Sequence, residues 1–351
     1  MAITSPKTTP ASTVTELGEH ALIAHIRSLL TMPDWVHVGP GDDAAILEQE
    51  RRTLEVLTTD AFVEHVHFDR RFCPLDAVGH KALAINLSDL AAMGAKPRAA
   101  LLSLILPSEL TMGDLDNLLN GLLSLANRSK IAIVGGNVSR SPAPRQTSEH
   151  GPLIIDITVT GNVGRRRVLT RSGARPGDEI YVTGSIGGSV VGLQSLQTRL
   201  GNSRESRFET CHTEYLWPEP RVRIGLLLGR NRIASACTDI SDGLGNAVRQ
   251  ISEASRVGML LDAQCLPIEQ TVHDWHEEQG TDAISETLSQ GDDYELLFTM
   301  PPKYRKRLLA IKGLIDNIAI TKIGVVTKKQ EVFIQTSKGN LDLPHGFEHF
   351  R

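Results

Sequence analysis

The chain has 351 residues, of which 40% are hydrophobic and 22% charged, and its formal net charge is −4. The length corresponds to roughly two domains, and the composition is that of a globular protein with a full core. Without a basic excess, and with only 4% aromatics, a nucleic-acid surface built on charge or base stacking is excluded; no apolar run approaches the ~18 residues of a membrane span. In chain order, residues 1–14 are rich in Ser, Thr and Pro and lack an apolar core, so they read as a disordered tail and not as a signal peptide. TELGEHALIAHIRSLL (15–30) has apolar residues at helical spacing. AILEQERRTLEVLTTD predicts a hairpin of two strands, with Thr58, Thr59 and Asp60 where the second leaves the core. DAVGHKALAINLSDLAAMGA predicts an Ala/Leu helix ending near Gly94. RAALLSLILP is a strand stopped by Pro107, TMGDLDNLLNGLLSLANRS an amphipathic helix, IAIVGGN a short buried strand ending in glycines, and PLIIDITVTGNV another strand.

The texture changes at GRRRVLTRSGARPGD (164–178), which is basic and turn-rich and marks a domain junction. DEIYVTGSIGGSVVGL then predicts strand, glycine turn and helix. Residues 197–214 are polar and predict an exposed loop. IASACTDISDGLGNAVRQISEAS runs from a strand into a helix, and ELLFTM and KIGVVT are late strands. The alternation indicates an α/β (α+β) protein with a tail at 1–14, a first domain at 15–163 and a second at 164–351. The cysteines at 73, 211, 237 and 265 form neither a zinc pattern nor a disulfide framework, which fits a reducing cytoplasm.

Four acidic clusters stand out: Gly41-Asp42-Asp43 before an apolar strand, Thr58-Thr59-Asp60 after one, Asp89 within the Ala/Leu helix with Asn86 on the same face, and Asp239-Ile240-Ser241-Asp242-Gly243 where a strand turns into a helix. Carboxylates near a core are costly unless paired or metal-bound. Asp, Thr and amide oxygens are ligands that Mg²⁺ takes, usually beside substrate phosphates. Each cluster also has a plain reading. Asp-Asp after Gly makes a turn, Asp239 or Ser241 caps the next helix, and Asp89 makes a structural hydrogen bond. No P-loop and no kinase signature set is present. Gly135-Gly136 would admit a phosphate close to the backbone, or simply make a turn. His65 and His67 alternate with Val66 and Phe68, as on one side of an extended segment. The residues alone thus point to a two-domain α/β protein with a Mg²⁺-dependent phosphate site and no named substrate.

The motifs GPGDDAAIL, LTTDAFVEHVHF, GHKALAINLSDLAAMGAKP, VGGN, LTRSGARPGDEIYVTG, TDISDGL, GDDYELLFT and the terminal GFEHF occur in an order that resembles the thiamine-monophosphate kinase family, from about residue 15 to 349. The resemblance implies ATP-dependent phosphorylation of thiamine phosphate to thiamine diphosphate, with ATP as co-substrate and several Mg²⁺ ions. It implies a homodimer built on the first domain's sheet and a second domain whose sheet is covered by helices. It implies Mg²⁺ ligation by Asp42, Thr58, Thr59, Asp60, Asp89, Asn137, Asp239 and Asp242. Gly136, Asn137, Arg171 and Ser241 would contact ATP, and His67, Asp292 and Phe347 the thiamine substrate. No general base is implied, because the attacking phosphate is largely ionised at neutral pH. Two positions depart from the family pattern: Asn137 stands where Asp is usual, and Asp292 where Glu is usual. The alternatives are another ATP-dependent enzyme of the wider superfamily, or a nucleotide-binding scaffold without turnover.

Overall fold

The computed structural model describes residues 9–142, 151–198, 206–315, 318–337, 339–344 and 346. The chain divides into two units: the first holds the segment up to Arg51, Leu57–Asn86 and Pro97–Asn162, and the second holds Arg52–Val56, Leu87–Lys96 and Val163 onward.

In the first unit, Thr13 and Glu16 form a capping box that starts α1 (Val14–Leu17), and Val14 is buried. Of the expected tail at 1–14, residues 1–8 lie outside the described residues; Thr13 and Val14 belong to this helix. Gly18, with φ of +79°, separates α1 from α2 (Glu19–Ser28). Strands β1 (Val36–Val38) and β2 (Ile46–Leu47) pair with each other. The expected hairpin of β2 with the next strand does not form. That strand, β3 (Thr53–Val63), joins a different sheet. It is followed by α3 (Leu75–Ala92), β4 (Lys96–Leu106), α4 (Met112–Ser129), β5 (Ala132–Arg140) and β6 (Ile154–Gly164), and the four-stranded sheet has the order β3-β6-β4-β5.

The core of this unit follows from the sequence pattern. Leu115, Leu118, Leu119, Leu122 and Leu125 line the buried stripe of α4 at helical spacing. On β6 every second residue from Ile155 to Val163 is buried. Helices α3 and α4 meet backbone to backbone: a Cβ at Gly79 would lie 1.9 Å from the Leu118 carbonyl oxygen, and one at Gly121 would lie 1.8 Å from that of Asp76.

The second unit contains β7 (Glu179–Thr183), α5 (Gly188–Thr198), α6 (Glu209–Leu216), α7 (Val222–Asn231), β8 (Ala236–Asp239), α8 (Leu244–Ser255), β9 (Gly258–Asp262), α9 (Gln270–Gln279), α10 (Ala283–Ser289), β10 (Leu296–Met300), α11 (Arg305–Lys312), β11 (Ile320–Thr327), β12 (Val332–Thr336) and β13 (Gly339–Asp342). Its seven-stranded sheet has the order β13-β12-β9-β11-β7-β10-β8, antiparallel throughout except for β12 beside β9. Helices cover both faces. Ile180, Val182 and Leu297 pack with α8 residues such as Val248 and Ile251, whereas Tyr181, Phe298 and Met300 pack with Leu228 of α7 and Leu308 of α11. A strand buried on both sides must be apolar in a run, as β10 is.

The expected loop at 197–214 is largely not one. Residues 197–198 end α5, 199–205 lie outside the described residues, and 209–214 are helical, because Cys211, His212, Tyr215 and Leu216 form a buried stripe on α6.

Candidate functional site

Within the second unit, β8 ends on Asp239, only 5% exposed, where it pairs with Leu296 of β10. The last residues of α3 belong to the same unit. From that helix Ser88, fully buried, donates its hydroxyl to Asp239 Oδ2 at 2.8 Å. Burial pushes the Asp239 carboxyl up to about 7; the charge of Asp89 pushes the same way, while the Ser88 hydroxyl and the more distant Arg171 pull it down. Arg171 Nε donates to Thr238 Oγ1 at 3.2 Å, so its guanidinium stands over the end of β8. The structure thus brings Asp89, Asp239 and Arg171 together.

Beyond Asp239 the chain turns through half-buried Ser241 and Asp242 into α8. The helix is capped by Gly243, φ +94°, which has no side chain to cap it. Neither Asp239 nor Ser241 is the cap. The segment Gly291–Glu295 runs alongside: the Asp292 N–H donates to the Ser241 carbonyl at 2.8 Å, the Tyr294 N–H to that of Ile240 at 2.9 Å, and the Ile240 N–H to that of Glu295 at 2.8 Å. Asp292 and Tyr294 both have positive φ, 72° and 50°, and the Tyr294 hydroxyl donates to Asp292 Oδ1 at 2.8 Å. Asp292 is therefore held beside Ser241.

Sequence reading missed the supports of this segment. Asp293 accepts from the Gly187 N–H at 3.0 Å and from the Ser189 hydroxyl at 2.7 Å, and desolvation raises its carboxyl to about 7. Glu295, buried, is gripped by Arg221 through two hydrogen bonds. Glu214 accepts from the Ser185 hydroxyl at 2.9 Å, and burial raises its carboxyl. The turn Gly184–Gly188 wraps these carboxylates. A Cβ at Gly184 would lie 2.0 Å from Glu295, and one at Gly188 would lie 1.6 Å from Glu214. Arg221 and Glu295 stand 74 positions apart, so no local pattern announces the pair.

In the first unit the candidates are spread out. Thr58, Thr59 and Asp60 lie inside β3, which continues to Val63, and not at its end as expected. Alternation puts half-buried Thr58 and Asp60 on one face and exposed Thr59 on the other, where Thr59 Oγ1 lies 2.9 Å from Thr158 Oγ1 of β6. Asp42 is exposed in the β1–β2 loop and accepts from the Asp43 N–H at 2.9 Å. Gly136 and Asn137 are also inside a strand, not in a turn. Asn137 is exposed and pairs with Ser103 of β4. Gly136 is required by close approach: a Cβ there would lie 1.8 Å from the Leu102 carbonyl oxygen. Two strands separate β3 from β5, a lateral distance of about 14 Å, so the sheet does not bring Asp60 and Asn137 together.

His65 and His67 are not on one side of an extended segment. The chain turns after Glu64: His65 is left-handed, φ 67°, and the His67 N–H donates to the Val63 carbonyl at 2.8 Å. The Val63 N–H donates to His67 Nδ1 at 3.0 Å, so the ring proton of the neutral imidazole sits on Nε2. Buried Glu64 pins the turn by accepting from the Leu153 N–H at 2.8 Å and pairing with Arg70. Phe347 lies outside the described residues.

Among the described residues no three His, Cys, Asp or Glu side chains gather as a metal-holding group. Mg²⁺ does not need such a cage, since it usually takes one or two carboxylates and completes its shell with water and phosphates. The Asp89–Asp239 pair fits that demand, because two like charges in a desolvated place are relieved by a cation. Asn86, three residues before Asp89 in sequence, belongs to the first unit, where its Oδ1 is buried without a hydrogen-bond partner. 

The chain matches the profile described as AIR synthase related protein, N-terminal domain, over residues 41–163, and the corresponding C-terminal domain over 175–337. It is 38% identical over 290 residues to the thiamine-monophosphate kinase of Salmonella typhimurium, covering 83% of this chain and 82% of that one. Among solved structures it is similar to a thiamine-monophosphate kinase from Stenotrophomonas maltophilia, at 34% identity and a TM-score of 0.78 over 89% of this chain and 95% of that one. It is also similar to AaThiL complexed with AMPPCP and TMP, at 31% identity and a TM-score of 0.73 over 95% and 98% of the two chains.

Proposed function

We infer the activity from membership: the chain belongs to the AIR synthase related family and, within it, to the thiamine-monophosphate kinases. It is an ATP-dependent kinase that phosphorylates thiamine phosphate to thiamine diphosphate. The observation that carries the reading is the end of β8, where a desolvated Asp239 lies near a second carboxylate, Asp89, with the Arg171 guanidinium nearby. That arrangement holds a cation and, through the cation and Arg171, a polyphosphate. The likeness to a relative complexed with AMPPCP and TMP supports the same pairing of substrates.

Transfer is in line, from the terminal phosphate of ATP to a phosphate oxygen of thiamine phosphate. Mg²⁺, when bound, neutralises the charge that accumulates between the two anions. Asp89, Asp239 and Asp242 are the cation-ligand candidates of the second unit, and Asp42, Thr58, Thr59, Asp60 and Asn137 those of the first. Arg171 and Ser241 in the second unit, and Gly136 and Asn137 in the first, are the nucleotide-contact candidates. The N-terminus of α8, which follows Ser241 and Asp242, favours an anion. His67 in the first unit, offering Nε2–H, and Asp292 in the second are the candidate contacts for thiamine phosphate, and Phe347, outside the described residues, is the candidate to stack on the thiamine ring. The attacking oxygen is already ionised, so no general base is assigned.

Two further parts of the reading rest on surfaces and thiols. The exposed face of the four-stranded sheet displays Leu57 (64% exposed) and Leu101 (46%), which supports a homodimer formed on that sheet. The four cysteines are thiols with no disulfide among them, three of them buried, which supports a reducing, cytoplasmic setting. No helix among the described residues is long and apolar enough to cross a membrane.

The test is ADP release by the purified chain with ATP and Mg²⁺, with thiamine phosphate or unphosphorylated thiamine as acceptor. Thiamine phosphate is expected to turn over and thiamine not, because a hydroxyl acceptor needs a base. Equal turnover of both refutes the assignment, and turnover of neither leaves the scaffold reading.

A further inference from the structure

The Asp89–Asp239 pair has an unusual neighbour. Ser88 is fully buried on α3 among Leu83, Ala84, Leu87, Leu90 and Ala91, none more than 1% exposed. An alanine would continue the Ala/Leu composition of this part of the helix. A buried serine in a helix ordinarily returns its proton to the carbonyl four residues back. Ser88 instead donates to Asp239 Oδ2, 151 positions along the chain and at the end of a strand in the same unit.

A carboxylate anchored at one oxygen can no longer rotate freely about its last bond. Its other oxygen then keeps one direction. The backbone N–H of Asp239 and the charge of Arg171 also favour the ionised carboxyl, but the Ser88 hydroxyl is the side-chain donor fixed on Oδ2. We propose that Ser88 is a positioning residue for the cation–nucleotide site: its hydroxyl fixes the rotation of the Asp239 carboxylate so that Oδ1 is presented to the cation. The inference rests on the reading of Asp239 as a cation ligand. Groups that orient a ligand in this way ordinarily matter to metal affinity almost as much as the ligands do.

The experiment compares wild type, Ser88→Ala and Ser88→Cys. Mn²⁺ is titrated into each full-length protein with a non-hydrolysable ATP analogue and followed by electron paramagnetic resonance. Thermal midpoints are measured in chelator, and Mg²⁺ and thiamine phosphate dependences of turnover are measured separately. Ser88→Ala is expected to lower its midpoint in chelator modestly and, beyond that, to need about tenfold more Mn²⁺ and Mg²⁺ for half-saturation, with the KM for thiamine phosphate unchanged. Ser88→Cys, near the serine in size but a weak donor, is expected to fall between the two. If Ser88→Ala binds Mn²⁺ as wild type does, whatever its midpoint, Ser88 is only a buried structural residue and the proposal is overturned. If wild type itself takes up no Mn²⁺ with the analogue, the cation reading of Asp239 has failed, and the positioning role fails with it.

Discussion

Asp239→Asn should make the metal-free protein more stable at pH 8 while destroying its ability to hold a metal nucleotide. The carboxyl has an ordinary value of 3.8 and is raised to about 7 by burial and by Asp89. A folded-state value above the unfolded one means that the folded chain retains a proton the unfolded chain has released. Stability from this group is therefore fully present below about pH 4 and is lost as pH rises through about 7. Ionising the buried group costs the fold about 4 kcal/mol at pH 8 as an upper bound. An asparagine keeps the shape and accepts the Ser88 proton, but its amide N–H groups need partners, which returns about 1–3 kcal/mol. The net gain expected is about 1–3 kcal/mol at pH 8, falling towards zero or below near pH 5, where wild-type Asp239 is largely protonated. Denaturant unfolding in chelator at the two pH values measures this. Titration with Mg²⁺ and an ATP analogue should stabilise wild type and leave Asp239→Asn unmoved, since only a ligand that binds the native state raises its stability. An Asn variant less stable than wild type at pH 8, or a difference independent of pH, would refute the account of Asp239 as a strained, cation-seeking carboxylate.

Two more outcomes follow from the first unit. Gly136→Ala places a Cβ 1.8 Å from the backbone oxygen of Leu102, where no side chain can swing aside; it should cost about 1–3 kcal/mol in urea unfolding, and an unchanged midpoint would contradict the β4–β5 register. His67→Asn keeps an acceptor near the place of Nδ1 for the Val63 N–H and should fold normally yet raise the KM for thiamine phosphate about tenfold, whereas His67→Ala should also lose about 1–2 kcal/mol of stability; a normal KM for His67→Asn would remove His67 from the substrate site.

Most helices and strands were legible because their patterns are set locally. The leucines of α4 recur at helical spacing, and the apolar run of β10 leaves no room for a loop. What the pattern does not carry is the partner. A hairpin of β2 with β3 satisfies the local sequence, but β2 pairs with β1 ten residues earlier, and β3 sits beside β6 from the other end of the unit. Polar and glycine signals misled for a related reason. Thr58-Thr59-Asp60 and Gly135-Gly136-Asn137 look like strand ends because oxygen and glycine usually mark turns. Both runs continue as strand, the first because one face of β3 is only half-covered and the second because β4 passes too close for a side chain. The α6 stripe, in contrast, was readable: Cys211, His212, Tyr215 and Leu216 stand at helical spacing within a segment whose overall polarity hid it.

At the site, sequence supplied residue types and the structure supplied the conflicts that give them meaning. Seven non-glycine residues among those described have positive φ. Lys130, Arg232 and Arg256 close helices, where a left-handed residue is routine, and Arg52 lies in the turn before β3. The remaining three are His65, Asp292 and Tyr294. His65 opens the turn that carries His67, and Asp292 and Tyr294 flank half-buried Asp293 in the segment tied to Ser241. Backbone strain of this kind persists only where surrounding bonds enforce it, and here Glu64 with Arg70 enforces one turn while Glu295 with Arg221 enforces the other. Raised carboxyls at Asp239 and Asp293 add an electrostatic cost in the same unit as the second strained segment. A chain selected only for stability would relax these features with a glycine, an asparagine or an apolar residue. Their concentration on the segments that also carry the candidate ligands is what local rules broken for function look like.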